Sequence, residues 1–266
     1  MNKNNIYIIG AIHGEFKTVL YLLLNKYKVE NCHIIVAGDI GLGFYKINYY
    51  TTIFNEINED LKTKDIHIYF IRGNHDNPDW FDNTPNELSA YSNIHIIKDY
   101  SVLNINNHHI LCIGGAVSPD KIERILGQTW WEGEEVKRID NLDEVIKEHN
   151  IDIVVSHTNP IFTEPKLILG NKMSVSDFEL SKECGKILAE VFFYLIEHNN
   201  PLKYWIHGHH HRHIETFVPN EYNDMDIQYL KAGLTIERNS YNEGPIKIIC
   251  LDQCYKNSID LLKIKL

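Results

Sequence analysis

The pentapeptide Arg72-Gly73-Asn74-His75-Asp76 directly follows Ile66-His67-Ile68-Tyr69-Phe70-Ile71, an apolar run rich in β-branched and aromatic residues. Such a run, closed by a glycine, predicts a buried strand that ends in a tight turn. The turn presents polar side chains at the carboxyl end of the strand, where open α/β sheets bind their ligands. The Asn74 amide oxygen suits a metal ion, and Asp76 beside His75 predicts a carboxylate–imidazole pair that fixes the tautomer of the ring. The alternative for these five residues alone is a polar turn with an Asx-type cap.

Four other apolar runs end in a similar way. The polar turns that close them carry His13, Asp39, His157, and His209 with His211. One such turn is weak evidence, but five in order converge on one place if their strands share sheets and direction. Histidine nitrogens with one carboxylate and one amide oxygen suit zinc, manganese or iron better than calcium or magnesium. The sequence therefore predicts a transition-metal site at the strand ends.

Strand and helix patterns alternate from the N-terminus to Asn74, which is typical of a parallel sheet with crossover helices. The predicted strands of the whole chain cover residues 6–9, 32–37, 66–71, 94–97, 101–105, 109–113, 151–155, 203–206, 214–218, 226–232 and 246–251. The predicted helices cover residues 16–27, 47–61, 134–149, and a segment that begins at Val175 or Ser181 and ends at Glu197. No linker, repeat or low-complexity tract divides the sequence, so we predict a single domain over residues 1–266.

The chain of 266 residues carries a formal net charge of -10. An acidic protein binds long phosphate backbones poorly, because that binding depends on Lys and Arg displacing counterions. We therefore expect a small charged ligand rather than duplex nucleic acid. The five cysteines form no CxxC pair, the N-terminus has no apolar signal core, and no run approaches a membrane-spanning length. These features predict a cytoplasmic protein without a membrane partner, and they leave the oligomeric state open.

Taken together, the five turns resemble the five motif blocks of the calcineurin-like metallophosphoesterases. In that family the blocks run Asp-x-His, Gly-Asp, Gly-Asn-His-Asp/Glu, a lone His, and Gly-His-x-His. The corresponding blocks here are Ala11-Ile12-His13, Gly38-Asp39, Gly73-Asn74-His75-Asp76, His157, and Gly208-His209-His210-His211. The resemblance covers residues 8–211 and implies an α/β fold, a four-layer αββα sandwich with two mixed β-sheets flanked by helices. It also implies a dinuclear metal site between the strand ends of the two sheets.

The resemblance further implies a role for each site residue. Asp39 would bridge two divalent transition metals, for which we expect manganese ahead of iron or zinc. The other implied ligands are His13 and His211 for the first metal, and Asn74, His157 and His209 for the second. His75, paired with Asp76, would bind no metal and would donate a proton to the leaving oxygen or stabilise charge on the phosphoryl group.

The first block departs from the family pattern, because Ala11 stands where the family has a metal-binding aspartate. A methyl group cannot coordinate a metal, so two divalent cations would face the single carboxylate of Asp39. We expect weaker occupancy of the first metal site and an impaired enzyme. An introduced inactivating substitution and a natural variant that works with one tightly bound metal both account for Ala11, and the sequence leaves both open.

The second block bears on the class of substrate. Phosphoprotein phosphatases of this superfamily carry Gly-Asp-x-x-Asp-Arg-Gly there, whereas this chain has Leu42 and Gly43 at the Asp and Arg positions. The missing arginine removes a bidentate phosphate clamp. We therefore expect a phosphodiesterase or a nucleotide-directed phosphohydrolase with a small phosphorylated or nucleotide substrate. The alternatives are a phosphoprotein phosphatase and a catalytically weak scaffold protein on the same fold.

Four residues are candidates for substrate contacts. Arg72 lies beside the central turn, where it can contact a substrate phosphate or form a structural ion pair. Arg124, Trp130 and Trp131 lie in a loop too long for a simple connection, and such loops commonly supply substrate contacts. The tryptophan rings can stack on a base, or they can fill the gap between the sandwich and the helix that follows.

Overall fold

Two β-sheets form the centre of the protein in the computed structural model, which describes residues 5–147, 149–166, 172–232, 245–254 and 258–264. The first sheet has the strand order β11-β1-β2-β3-β4. Its strands are β1 (Asn5–Ile9), β2 (Cys32–Val36), β3 (Ile66–Ile71), β4 (Ile94–Ile97) and β11 (Leu261–Lys263). Strands β1 to β4 are parallel and β11 is antiparallel to β1. The carboxyl ends of the parallel strands therefore lie along one edge of the sheet.

The second sheet has the order β5-β6-β7-β8-β10-β9. Its strands are β5 (Ser101–Ile105), β6 (His108–Ile113), β7 (Ile153–Ser156), β8 (Tyr204–His207), β9 (Ile214–Val218) and β10 (Ile246–Cys250). Strands β6, β7, β8 and β10 are parallel, and the two edge strands are antiparallel to their neighbours. The sequences of the central strands are nearly continuous apolar runs because both faces of the sheet are covered.

Helices cover the outer faces of both sheets. They are α1 (Phe16–Tyr21, continued by a π-helical turn at Leu22–Lys26), α2 (Ile47–Thr63), α3 (Asp79–Asp82), α4 (Asn86–Ser89), α5 (Leu142–Ile146), α6 (Val175–Glu197) and α7 (Asp224–Lys231). A 3₁₀ turn covers Lys121–Glu123. Within the described ranges, no helix combines the length and the apolar character needed to cross a membrane.

Three apolar layers hold these elements together. The first packs α1 and α2 against the first sheet, with Phe16 and Phe54 among its buried residues. The second packs α6 against the second sheet, and the third fills the space between the sheets with side chains such as Ile35 and Val155. The predicted αββα sandwich with two mixed sheets is thus confirmed.

Two predictions of secondary structure are wrong. Residues 226–232 form helix α7 rather than a strand, because the Asn223 side chain caps the helix by accepting the Asp226 N–H at 2.9 Å. Among the described residues of the predicted helix 134–149, only Leu142–Ile146 is helical. The backbone carbonyls of Glu134 and Glu135 instead accept hydrogen bonds from Arg72, which holds that segment in an irregular conformation.

Candidate metal centre

The predicted ligand residues lie in the turns that follow five parallel strands. His13, Asp39 and Asn74 follow strands β1, β2 and β3 of the first sheet. His157 follows β7 of the second sheet, and the segment with His209 and His211 follows β8. The two sheets present these turns to each other, and the structure brings the six side chains into one cluster.

Asp39 lies at the centre of this cluster and is almost fully buried. Its Oδ1 atom lies 3.1 Å from His157 Nε2, and its Oδ2 atom lies 3.8 Å from His13 Nε2. Burial alone would raise the pKa of Asp39, but the nearby His157, His75 and His13 outweigh it and lower the pKa well below its ordinary value. The carboxylate is therefore ionised, with one oxygen turned toward each half of the cluster.

Two groups of ligand atoms share Asp39. The ligand atoms of Asp39, His157 and His209 all lie within 4.8 Å of one another, and so do those of Asp39, His13 and His75. The first of these groups matches the predicted second metal, and Asn74 Oδ1 adjoins it at 2.9 Å from His157 Nε2.

The other group differs in membership from the predicted first metal site, because it contains His75 where we expected His211. The ring of His211 nevertheless lies next to the group, with its Nε2 atom 3.2 Å from His13 Nε2. Ala11 is buried close by, and the N–H groups of Ile12 and His13 both donate to the Asp39 carbonyl. The alanine contributes no ligand atom, so this half of the cluster has fewer oxygen donors than the other.

Outer contacts fix the orientation of two ligands. His157 Nδ1 donates to the Ala37 carbonyl at 2.8 Å, which turns Nε2 toward Asp39 and Asn74. The Asn74 amide nitrogen donates to Ser118 Oγ at 3.0 Å, so its oxygen points the other way, into the cluster. Ser118 is in turn held by Glu134, whose carboxylate accepts from both its hydroxyl and its N–H. Contacts of this kind are typical of metal sites.

The backbone is strained at four of the candidate ligands. His13, Asp39, His209 and His211 have φ angles of 45°, 52°, 66° and 48°, in the left-handed region that residues with a side chain rarely adopt. Each such residue costs on the order of 1–3 kcal/mol, and strained residues of this kind concentrate at functional sites. The fold therefore holds these side chains in place at a cost in stability.

Two glycines of the motif blocks permit the close approach of the turns. A Cβ atom at Gly73 would lie 2.1 Å from the Asp39 backbone nitrogen, and one at Gly38 would lie 2.0 Å from His157 Nδ1. No flexible neighbour can give way at either place. The glycines are therefore needed to bring Asp39 and His157 into the cluster.

Asp76 does not pair with His75, so that prediction is wrong. Its buried carboxylate accepts hydrogen bonds from the N–H groups of Ile40, Gly41, Leu42 and Gly73, at 2.7 to 3.1 Å. Burial and the nearby Asp39 raise the pKa of Asp76 to about 7, although these backbone hydrogen bonds oppose the shift. Asp76 thus ties the Asp39 turn to the Asn74 turn and acts as a structural anchor.

Replacing Asp76 by alanine is expected to lower the free energy of unfolding by about 3 kcal/mol or more, because it leaves several buried N–H groups without an acceptor. Chemical denaturation measures the change. The matched control is Asp79→Ala, since Asp79 is exposed at the start of α3 and such surface changes usually stay within about 0.5 kcal/mol. Equal stability of the Asp76 and Asp79 variants would contradict the anchoring role.

Arg124 lies against His75 at the edge of the cluster. Its Nη2 atom is 2.5 Å from His75 Nε2 and 3.2 Å from Nδ1, and the Asp120 carboxylate holds the guanidinium at 2.8 and 2.9 Å. Burial, followed by the charges of Arg124 and His13, lowers the pKa of His75 to about 4 against the opposing effect of Asp39. Arg124 thus lies at the edge of the cluster, and its contact with a substrate stays a prediction.

Arg72 does not contact the cluster, so its predicted role in substrate binding is wrong. Its fully buried guanidinium donates to Asp99 at 2.7 and 3.1 Å and to the carbonyls of Gly133, Glu134 and Glu135. These contacts occupy every nitrogen of the group. Of the two alternatives for Arg72, the structure shows the structural ion pair, formed with Asp99. Arg72 also anchors the segment that carries Glu134.

The two tryptophans do not form an open stacking surface. Trp131 is buried at 9% exposure and packs edge-on against Phe44, with ring centroids 5.1 Å apart. The Lys121 ammonium covers the Trp130 ring at 4.4 Å. This arrangement favours the alternative in which the tryptophans fill space behind the site. The aromatic residues that line the site itself are Phe44 and Tyr45.

Comparison with known proteins identifies the family of this chain. The model of the calcineurin-like phosphoesterase family matches residues 5–213, and no curated protein matches the chain. Among solved structures, the protein TT1561 of Thermus thermophilus is similar over 99% of both chains, with 13% identity and a TM-score of 0.50. A dimetal phosphatase from Danio rerio aligns over 94% of this chain and 87% of its own, with 11% identity and a TM-score of 0.47. The first likeness shows the fold alone, but the family match covers most of the sequence, and this chain therefore belongs to the calcineurin-like phosphoesterases.

Proposed function

We propose that this protein is a metal-dependent hydrolase of a small, nucleotide-containing phosphodiester. The observation that carries the proposal is the arrangement around Asp39, where nitrogen and oxygen ligand atoms from two sheets lie within 4.8 Å of one another in two groups that share its carboxylate. Family membership supplies the reaction class, phosphoester hydrolysis. The substrate class follows from the chemistry around the cluster.

The residues fit divalent transition metals. The Asn74 oxygen and the His157 Nε2 atom are turned toward Asp39 by their outer contacts, and both are atoms that bind such metals. Nitrogen donors with one carboxylate suit manganese, iron or zinc, and we expect manganese. The ligands proposed for the tighter site are Asp39, Asn74, His157 and His209. Those proposed for the weaker site are His13 and His211, with Asp39 shared.

The residues beside the ligands can assist the reaction. When bound, the metals act as Lewis acids toward phosphoryl oxygens and lower the pKa of water toward about 7. His75 adjoins the weaker site, so its ring is placed to donate a proton to the leaving oxygen or to stabilise charge on the phosphoryl group. The Arg124 guanidinium supplies a positive charge at the same edge for the phosphoryl oxygens. Asp120 orients that guanidinium through two contacts.

The preference for a diester rests on the limited positive charge near the cluster. A phosphodiester carries less negative charge than a phosphomonoester, so it needs fewer cationic partners. In phosphoprotein phosphatases the positions of Leu42 and Gly43 carry Asp and Arg. Leu42 and Gly43 are uncharged, so this chain lacks the positive charge of that arginine. Arg124 is the observation that favours the second candidate, a phosphoprotein phosphatase, because one arginine at the site can still clamp a monoester.

A panel of phosphoesters assayed with added manganese separates the candidates. The panel comprises cyclic nucleotides, dinucleoside polyphosphates, single-stranded oligonucleotides and a phosphopeptide. We expect a nucleotide-containing ester to give the highest kcat/KM. If the phosphopeptide is hydrolysed faster than every nucleotide, the proposed substrate class is wrong and the phosphatase is favoured.

A further inference from the structure

A cavity of about 160 Å³ opens beside the candidate metal centre. The residues that line it are His13, Gly14, Gly41, Phe44, Tyr45 and His75. Two of them, His13 and His75, belong to the ligand group around Asp39, so the cavity is continuous with the place where a phosphoryl group would bind. A group attached to that phosphoryl group therefore has this cavity within reach.

One wall of the cavity is aromatic. The ring of Phe44 stacks on His75 with centroids 6.4 Å apart and a 17° angle between planes, and Trp131 supports it from the side. Tyr45 is 59% exposed, and its ring lies 4.3 Å from that of Tyr49, which is 40% exposed. The two ring planes are tilted by 37°, so Tyr49 packs against Tyr45, and the exposed part of the Tyr45 ring is the aromatic surface that a ligand can reach.

The loop that carries Phe44 and Tyr45 is held in its conformation before any ligand binds. The buried Tyr50 hydroxyl donates to the Gly41 carbonyl at 2.7 Å and accepts the Tyr45 N–H at 3.2 Å. Asp76 binds the N–H groups of Gly41 and Leu42. A preformed surface binds with a smaller loss of conformational entropy than a flexible one.

The size and chemistry of the cavity limit what it accepts. Its volume is below the roughly 300–1,000 Å³ of pockets that hold drug-sized ligands, so it suits one ring system. The Gly14 N–H already donates to Ile40 and the Gly41 N–H to Asp76, so these lining groups are not available to read the edge of a base. The rings of Phe44 and Tyr45 are the part of the lining suited to a base, and stacking on them tolerates every base.

We propose that the cavity beside the metal centre binds the base of a nucleoside phosphate by stacking on Tyr45 and Phe44. This inference deepens the proposed function and rests on it. Because recognition depends on the face of the ring, we expect discrimination among bases to follow ring size, with purines bound more tightly than pyrimidines.

The test is calorimetric titration of the manganese-loaded protein with adenosine 5′-monophosphate and with ribose 5-phosphate, which lacks the base. We expect the nucleotide to bind roughly 5- to 100-fold more tightly, the range of one stacked base. Tyr45→Ala should remove that advantage and leave the affinity for ribose 5-phosphate unchanged. Tyr45→Phe keeps the ring and should retain the advantage, as should Tyr21→Ala at an exposed tyrosine on α1, outside the cavity.

Equal affinities of the two ligands in the unmodified protein, or an advantage that survives Tyr45→Ala, would overturn the stacking proposal. Failure of the proposed hydrolase function is measured separately, by turnover of a ring-free diester such as glycerophosphocholine together with the nucleotide panel. If both kinds of ester are hydrolysed at similar kcat/KM, the proposed hydrolase function is supported and the proposed base site is wrong. If neither kind of ester is hydrolysed, the proposed hydrolase function is wrong.

Discussion

Replacing Ala11 by aspartate is expected to raise metal-dependent phosphoester turnover by at least about 100-fold, the scale of one electrostatic group acting in a transition state. Ala11 is buried, and the residues that follow it donate their N–H groups to the Asp39 carbonyl. A carboxylate there would add an oxygen ligand and a negative charge to the half of the cluster that contains His13. That half now depends on imidazoles and a shared carboxylate, so it gains most from the change.

The measurement is turnover of both forms, side by side, in saturating manganese. Ala11→Asn is the matched control, because asparagine supplies an oxygen at the same distance without the charge and should recover only part of the rate. Equal rates for the unmodified protein and Ala11→Asp would mean that this site never needed the aspartate. Ala11 would then be a native feature of a centre that works with one tightly bound metal.

Replacing His75 by alanine is expected to lower turnover by roughly 10²- to 10⁴-fold, the usual contribution of a positioned acid or base. The experiment belongs in the Ala11→Asp form, where the starting rate is expected to be highest. Metal content should change little, because the proposed ligands of both sites remain. His198→Ala is the control, since His198 lies at the exposed end of α6.

The metal content of the His75 variant also resolves a question that the structure raises. The ring of His75 lies within 4.8 Å of the ligand atoms of Asp39 and His13, where we expected His211 to complete the group. Loss of one metal equivalent together with the loss of turnover would identify His75 as a ligand. The proposed role as proton donor or charge stabiliser would then be wrong.

The sequence predicts the two sheets and the convergence of the five turns because both depend on local patterns. An apolar run closed by a glycine and a polar residue marks the carboxyl end of a buried strand, and parallel strands bring such ends together. Helix α7 was missed because its two inward-facing residues, Ile227 and Leu230, give too short a pattern to separate helix from strand.

The surroundings of the site were predicted less well, because they depend on contacts between distant parts of the chain. Ser118, which orients Asn74, lies 44 residues after it in the chain, and Glu134, which holds Ser118, lies 16 residues further on. No local pattern marks either residue. Asp76 was assigned to its neighbour His75, but its carboxylate meets the N–H groups of the turn 34 to 36 residues earlier. Adjacent residues in a tight turn need not point in the same direction, so adjacency in sequence was a poor guide to contact.

Elemental analysis of the purified protein and of Asn74→Ala, after dialysis against manganese, tests most directly the claim that the five turns form a metal centre. We predict at least one equivalent of a transition metal per chain in the unmodified protein, held by Asp39, Asn74, His157 and His209. Asn74→Ala should lose that equivalent, whereas Asn77→Ala, a control three residues further along the chain, should keep it. Absence of bound metal from the unmodified protein, or equal content in the unmodified protein and Asn74→Ala, would contradict the proposed centre.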